Sequence, residues 1–348
     1  MKSNSSIKEK GYMKNQIDIH KPLINTYTSY GAVFSLIGEE STEWVYNNFI
    51  QLRYAYKWDM FTFDEHQRYL TECPGLDYFI FPMEIIEKKY ENSLLNFIVS
   101  SIDMGYGVFF WVDRFHVAEY KEYQTMHFAH EVFIIGYDMQ RQVLIGADNG
   151  NDGKYVLIDF QIEQIEEAFW KLDKQEYFLS QIRLIRRNAD CKECFNIQKV
   201  KFELNRYLNS VPMYEVLYQQ EFIFGFRMYD KLIHLLKEQS QIEGEFDIRG
   251  FHLLYEHKLI MEARVKFMEE HGYIGKERKL LEESSKIKMQ FLILRNTVLK
   301  YNVIIEWQMS GNKVDMCNCI CDKLNEALES ERKFLVNLVA AIEERENQ

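Results

Sequence analysis

The chain has 348 residues, with 42 Lys and Arg against 53 Asp and Glu, which gives a formal net charge of −11 at pH 7. At about 100 to 200 residues per domain this length predicts two domains, and a composition of 47% hydrophobic and 27% charged residues excludes a disordered or collagen-like chain. The acidic balance argues against a nucleic acid as the main partner, because phosphate binding requires a basic surface.

The N-terminal residues predict a disordered tail and a cytoplasmic protein. Residues 1–18 are polar and rich in lysine. No apolar stretch of signal-peptide or membrane-spanning length follows them, so the sequence predicts no membrane partner.

Residues 19–200 carry helical and strand patterns that predict an α+β domain. Apolar spacing typical of helices occurs over 28–37, 42–52, 85–102 and 160–172. Short β-branched and aromatic runs predict successive antiparallel strands, namely GVFFWV, EVFIIGYD, QVLIGAD, KYVLIDF and YFLSQIRLI. Helices first and a meandering sheet afterwards is an α+β order.

Residues 201–348 predict an all-α helical bundle. All 4 prolines precede residue 213, and apolar residues then recur at steps of three, four and seven. Glycines divide this region into helices near 213–240, 247–271, 276–309 and 314–345. Amphipathic helices joined by short links favour an antiparallel bundle.

A histidine and an aspartate are predicted to meet at the edge of the sheet. His130 opens the strand EVFIIGYD and Asp148 closes the next strand, with a tight turn around 138–141 between them. A carboxylate beside an imidazole can hold its tautomer and stabilise the imidazolium during proton transfer. The alternative is a strand-edge histidine bonded to a turn aspartate without a catalytic role.

A longer pattern around these residues is more specific. An apolar strand ends in Asp113, a tyrosine-bearing polar stretch and H-F-x-H follow, one strand ends in G-Y-D, and the next reaches Asp148. Roughly residues 20–190 resemble the butirosin biosynthesis protein H N-terminal-like family. The resemblance implies a papain-like cysteine-peptidase fold, recruited to move an acyl group from a carrier-protein thioester to an amine. It also implies that His130 is the general base and Asp148 its orienting carboxylate.

The nucleophile that the resemblance implies is missing. Such a fold places a cysteine at the N-terminus of its first buried helix, but residues 25–38, NTYTSYGAVFSLIG, contain none, and the earliest cysteine is Cys73. Ser29, with Thr28 or Thr26 as alternatives, is the hydroxyl predicted to stand in for the thiol.

No metal and no cofactor are predicted. Cys191 and Cys194 form a C-x-x-C, but the cluster at 317–321 lies more than a hundred residues away, unlike the paired ligands of a zinc site. Asp113, His116 and His127 are expected near His130, yet no ligand spacing requires a metal there. The sequence also lacks the G-x-x-x-x-G-K-[ST], G-x-G-x-x-G and G-x-S-x-G motifs.

Two functions follow as expectations. One is a natural-product biosynthesis protein of the nonribosomal peptide type, an acyltransferase or hydrolase weakened by Ser or Thr in place of Cys. The other is a non-catalytic binding or scaffold subunit of such a pathway. Expected partners are a small-molecule substrate and an acyl or peptidyl carrier protein, docked on the basic patch Lys276, Arg278 and Lys279. The 22 Tyr and 25 Phe are compatible with a homo-oligomer.

Overall fold

The computed structural model describes residues 13–64, 66, 68–151, 153–213, 221–307 and 312–346. Its strands, in chain order, are β1 (Lys14–Gln16), β2 (Leu52–Ala55), β3 (Met60–Phe63), β4 (Leu76–Pro82), β5 (Gly107–Asp113), β6 (Ala129–Asp138), β7 (Val143–Asn149), β8 (Tyr155–Gln161), β9 (Gln181–Arg187) and β10 (Phe222–Phe224). Its helices are α1 (Thr28–Leu36), α2 (Thr42–Asn47), α3 (Arg68–Glu72), α4 (Glu84–Lys89), α5 (Leu94–Asp103), α6 (Ile162–Trp170), α7 (Ile197–Asn209), α8 (Arg227–Gln239), α9 (Arg249–Glu270), α10 (Leu280–Glu306) and α11 (Lys313–Glu346). Helices together with a large antiparallel sheet confirm the predicted α+β class.

Contacts divide the chain into two units that are not contiguous in sequence. Unit 1 contains Met1–Gly38 and Pro74–Cys191, and unit 2 contains Glu39–Cys73 and Lys192–Gln348. This division differs from the predicted domains 19–200 and 201–348, because Glu39–Cys73 groups with the C-terminal residues. The physical reason is strand pairing: β2 lies between β3 and β10 in a three-stranded antiparallel sheet.

The predicted disordered tail, residues 1–18, is partly a strand. Residues 1–12 lie outside the described residues. Lys14–Gln16 form β1, which pairs antiparallel with the end of β6, and the N–H of Ile17 donates to the carbonyl of Ile135 at 2.9 Å. The backbone of this polar segment is therefore held by hydrogen bonds, which composition does not reveal.

The sheet of unit 1 brings three chain segments to one place. Its strand order is β4-β9-β5-β6-β7-β8, β1 also pairs with β6, and the paired strands run antiparallel. Asp113 at the end of β5 pairs with Ala129 at the start of β6. Phe133 of β6 pairs with Ala147, so the end of β7 lies beside the same stretch of β6. The loops after β5 and before β6 consequently meet the end of β7.

Helices α5 and α6 cover the sheet with one apolar cluster. Both helices are amphipathic, and residues three and four positions apart face the strands. The largest buried members of this cluster are Phe97, Phe110, Tyr120, Tyr137, Phe160 and Phe169. Burial of this kind contributes about 25 cal/mol per Å² of apolar surface, so the cluster is a main source of stability for unit 1.

The helical pattern over 85–102 forms two helices instead of one. Glu91 and Asn92 adopt φ of 54° and 65°, which ends α4. The side chain of Ser93 then accepts a hydrogen bond from the N–H of Asn96 and caps α5. The predicted strands β5 to β8 and helix α6 are confirmed. The predicted strand YFLSQIRLI is a strand only from Gln181, after a 3₁₀ turn at Tyr177–Ser180, and β4, α7 and the small sheet were not predicted.

Unit 2 contains the long helices. The predicted helices 247–271, 276–309 and 314–345 correspond to α9, α10 and α11, and α10 packs against both of its neighbours. Part of the predicted helix 213–240 lies outside the described residues, and its remainder forms β10 and α8. Among the described residues, no helix is both long and apolar enough to cross a membrane.

A buried polar network joins the helices of unit 2. Lys258 Nζ lies 2.6 Å from Glu331 Oε1, and both side chains are 2% exposed. The hydroxyls of Tyr207 and Tyr229 each donate to Glu331 at 3.0 Å. His257 Nδ1 lies 2.8 Å from Lys258 Nζ. Burial lowers the pKa of Lys258, and Glu331 opposes that shift. The buried charges of Lys258 and Glu331 therefore stabilise each other.

Removing one partner should leave a buried charge unpaired. We expect Lys258→Met to lower the free energy of unfolding by about 3 to 5 kcal/mol, because Glu331 keeps its desolvation cost without its cation. Lys266→Met on the same helix is the control, since its pair with Glu270 is exposed and worth about 1 kcal/mol or less. Chemical denaturation measures both. Equal losses would contradict the role of the buried pair.

Glu131 supplies a pH-dependent contribution in unit 1. Its carboxylate lies 3.4 Å from Arg183, and both residues are buried. Burial raises the pKa of Glu131 from 4.5 to about 7, and the attraction of Arg183 offsets only part of this. The protonated form therefore favours folding, and that contribution is lost as the pH rises through about 7.

Glu131→Gln should remove this dependence, because an amide resembles the protonated acid at every pH. Between about pH 5 and about pH 8, we expect the unfolding free energy of the wild type to fall by about 2 to 3 kcal/mol relative to the variant. Denaturant titrations across this range measure the difference. A difference that stays constant with pH would show that the pKa of Glu131 is not raised.

Candidate functional site

The carboxylate of Asp148, at the end of β7, is fully buried and accepts hydrogen bonds from four donors among the described residues. Oδ1 accepts from the hydroxyl of Thr28 and from the N–H of Asn149 at 2.7 Å. Oδ2 accepts from the hydroxyl of Tyr120 at 2.5 Å and from Arg114 Nη2 at 3.0 Å. A buried charge is costly unless it is paired and hydrogen-bonded, and these donors meet that requirement.

Arg114 is directed inward by the turn that follows β5. The turn is a single 3₁₀ element, Arg114–His116, and Arg114 is 8% exposed. Its N–H donates to the carbonyl of Phe128 at 3.0 Å. Its guanidinium lies 3.9 Å from the centroid of the Tyr120 ring, and Nη1 lies 4.0 Å from Glu122. The arginine is thus held by an aromatic face and by carboxylates, and it has a fixed position.

Helix α1 delivers the hydroxyls that the sequence singles out. Thr28 is its first residue, and Thr28, Ser29 and Thr26 are 2%, 1% and 7% exposed. The helix approaches β8 so closely that a Cβ at Gly31 would overlap the ring of Tyr155. Glycine at this position therefore sets how near the first turn of α1 comes to the sheet.

His130 lies beside Asp148 but is bonded to other groups. Its Nδ1 is 3.9 Å from Asp148 Oδ2, 2.9 Å from Arg114 Nη2 and 2.8 Å from the carbonyl of Glu131. Arginine only donates and a carbonyl only accepts. Nδ1 of His130 therefore accepts from Arg114 when it carries no proton, and donates to the carbonyl of Glu131 when it carries one. The atom that would face an orienting carboxylate in a catalytic pair faces a guanidinium instead.

Burial favours a neutral His130. It lowers the pKa of the imidazole; the carboxylate of Asp148 opposes this shift, and the guanidinium of Arg114 adds to it. Burial and the carboxylate of Asp148 also raise the pKa of Tyr120 well above its ordinary value. Tyr120 therefore remains a hydrogen-bond donor to Asp148 at neutral pH.

A second histidine and aspartate form a direct pair nearby. His127 Nδ1 lies 2.6 Å from Asp113 Oδ2, while Asp113 Oδ1 accepts from the N–H groups of Phe115 at 3.1 Å and Phe128 at 3.0 Å. Burial alone would raise the pKa of Asp113, but these hydrogen bonds outweigh it and hold the pKa below its ordinary value. Asp113 is buried, whereas the side chain of His127 is 72% exposed.

The structure brings together most of the residues that the sequence singles out. His130, Asp148 and Thr28 belong to one cluster, and Ser29 follows Thr28 in the same helical turn. The roles of His130 as base and Ser29 as nucleophile stay predictions. Arg114 was missed, since it belongs to no motif and its only signal was its place in the loop between two strands predicted to carry the site. Tyr120 belongs to the tyrosine-bearing stretch of the pattern, but its bond to Asp148 was not predicted.

Other predicted features lie outside this cluster. None of the six cysteines, all of them within the described residues, forms a disulfide; Cys191 and Cys194 are exposed, and Cys73 is buried in unit 2. In the predicted basic patch of unit 2, Arg278 forms an ion pair with Glu344.

A cavity of 620 Å³ lies elsewhere in unit 1. Residues of β1 and the ends of α1, α5 and β9 line it, with charged groups from Asp18, Asp103, Arg186 and Arg187. β1 pairs with the end of β6 that carries Asp138. His130 lies eight residues earlier in that strand, so roughly 25 Å of strand separates it from this end of the sheet.

Comparison with known proteins adds no relative. No protein-family model matches this chain. No curated protein has significant sequence similarity to it. The resemblance to the butirosin biosynthesis protein H N-terminal-like family therefore depends on the motif residues alone.

The effect of the Arg114 charge can be measured as a change in the pKa of His130. We expect the pKa of His130, measured by NMR titration, to lie below 6.5 in the wild type and to rise in Arg114→Gln, because the nearby cation is removed. His234 is the control, since its side chain is 61% exposed and pairs with Glu238. A wild-type pKa of His130 above 6.5, or no rise in Arg114→Gln, would contradict this arrangement.

Proposed function

We propose that this protein is a non-catalytic binding subunit of a natural-product pathway, related to papain-like acyltransferases, that holds an acyl ligand without forming a covalent intermediate. The observation that carries the proposal is the guanidinium of Arg114 at 2.9 Å from Nδ1 of His130. In a catalytic pair this position belongs to a carboxylate, which stabilises the imidazolium formed when the nucleophile loses its proton.

A cation at Nδ1 opposes proton uptake by His130. Burial is the largest cause that lowers the pKa of His130, and an imidazolium would also carry its charge directly beside the charged guanidinium. Asp148 acts in the opposite direction without restoring the ordinary pKa, and its Oδ2 also accepts from Tyr120 and Arg114. A general base that resists protonation gives little help to a serine or threonine hydroxyl, whose proton is hard to remove.

The predicted nucleophile window also lacks a suitable group. It has no cysteine, Thr26, Thr28 and Ser29 are all buried, and the hydroxyl of Thr28 donates to Asp148. A thiolate would need exposure and a favourable positive charge, as reactive cysteines have. The residues retained from the resemblance therefore support a fold and a ligand site better than a covalent reaction.

The 620 Å³ cavity gives unit 1 a place for such a ligand. Its volume lies in the range of about 300 to 1,000 Å³ that is typical of small-molecule sites. Its lining combines acidic and basic groups with backbone and apolar surface from Ile17 and Leu36. We assign the cavity to the polar pantetheine portion of an acyl-pantetheine, or of a comparable ligand of the pathway.

The acyltransferase is the second candidate, and one observation favours it. Thr28 contacts Asp148, so the first turn of α1, which also carries Ser29, reaches the cluster that contains His130. In this version Ser29 attacks the thioester carbonyl, His130 takes its proton, and the thiol of pantetheine leaves.

Acyl-pantetheine thioesters test both candidates in one experiment. We expect isothermal titration to detect binding to the full chain while intact mass spectrometry detects no added acyl group. An adduct that disappears in Ser29→Ala would overturn the binding proposal in favour of the acyltransferase.

Ser101→Ala is the control, because Ser101 is a buried serine of unit 1 that does not line the cavity. Loss of an adduct in both serine variants would indicate damage to the fold rather than loss of a nucleophile, so each variant is also checked by thermal unfolding. If the experiment detects neither binding nor an adduct, both candidates are overturned.

A further inference from the structure

The loop that follows β5 and the residues that precede β6 carry three metal-ligand groups. Asp113 ends β5, His116 lies three residues later in the 3₁₀ turn, and His127 lies two residues before β6. The ligand atoms of these three side chains all lie within 4.8 Å of one another. Because Asp113 pairs with Ala129 in the sheet, the two ends of this loop are fixed by strand pairing.

We propose that Asp113, His116 and His127 bind a divalent transition metal, with zinc as the best-fitting ion. Two imidazoles and one carboxylate are a common zinc ligand set, and they leave a fourth position for water or a ligand. The two nitrogen ligands disfavour magnesium and calcium, which prefer oxygen. This proposal does not depend on the proposed function.

The distances suit such an ion. Zinc bonds of about 2.0 to 2.1 Å in a tetrahedron place neighbouring ligand atoms about 3.3 Å apart. His127 Nδ1 and Asp113 Oδ2 are closer than this, at 2.6 Å, and the whole set spans at most 4.8 Å. Side-chain rotations that move the ligand atoms by about 1 Å would bring the three atoms to this spacing. The metal would then replace the proton between His127 and Asp113.

The groups around the three residues already orient them. Oδ1 of Asp113 is held by two backbone N–H groups, so Oδ2 is the oxygen that faces His127. The ring of Phe115 stacks on His127 with centroids 4.2 Å apart. Nδ1 of His116 lies 3.4 Å from Glu167 Oε1, an outer carboxylate of the kind that fixes a ligating histidine through its other nitrogen.

The proposed metal site is separate from the cluster around Asp148, although Asp113 of the first and Arg114 of the second are neighbours in sequence. Arg114, which follows Asp113, bonds Asp148 and His130. Asp113 and His127 bond each other instead. Metal binding would therefore connect the end of β5, the turn and the start of β6 without using the donors that Asp148 requires.

Zinc binding to the full chain tests the proposal directly. The exposed thiols of Cys191 and Cys194 are first changed to serine, because thiols bind zinc strongly. Titration of this chelator-treated protein with zinc chloride should give one ion per chain. His127→Ala and His116→Ala should weaken the affinity by more than about 100-fold, and Glu167→Gln by about 10-fold, as for an outer partner.

His234→Ala is the control for adventitious binding, because His234 is an exposed histidine with a nearby glutamate; it should leave the affinity unchanged. Because the side chain of His127 is 72% exposed, His127→Ala should still fold, and thermal unfolding without metal checks this. Failure to bind zinc, unchanged affinity in His127→Ala, or equally strong binding of magnesium chloride would each overturn the proposal.

Discussion

The buried carboxylate of Asp148 is the constraint on which the site depends. A negative charge with no exposure is stable only where donors surround it, and its donors come from three separate segments: the first turn of α1, the loop after β5, and the end of β7. Satisfying this one group therefore fixes the position of helix α1 against the strands. It also fixes Arg114, which brings the only full positive charge among these donors.

The position of Arg114 decides what the neighbouring groups can do. Its charge balances Asp148, approaches Glu122 and faces His130, whose protonation it opposes. The histidine and aspartate that look like a catalytic pair in sequence lie 3.9 Å apart, and the guanidinium of Arg114 bonds both. The direct pair of the region is the exposed His127 with the buried Asp113.

Sequence patterns anticipated the elements that periodicity governs and missed those that depend on distant pairing. The strands β5 to β9 and the helices α6 and α9 to α11 have clear alternation or helical spacing. The pairing of β2 with β10 joins residues far apart in the chain, so local sequence patterns do not predict it. The proximity of His130 and Asp148 followed from strand order, whereas the inward turn of Arg114 followed from burial and charge that only the tertiary structure supplies.

A double-mutant cycle between Arg114 and Asp148 tests the central claim most directly. Unfolding free energies of Arg114→Met, Asp148→Asn and the double variant give the coupling energy of the pair. We expect a coupling of about 1 to 3 kcal/mol, because each residue supplies the main opposite charge of the other in a buried site. A coupling near zero would contradict the claim that this ion pair organises the site.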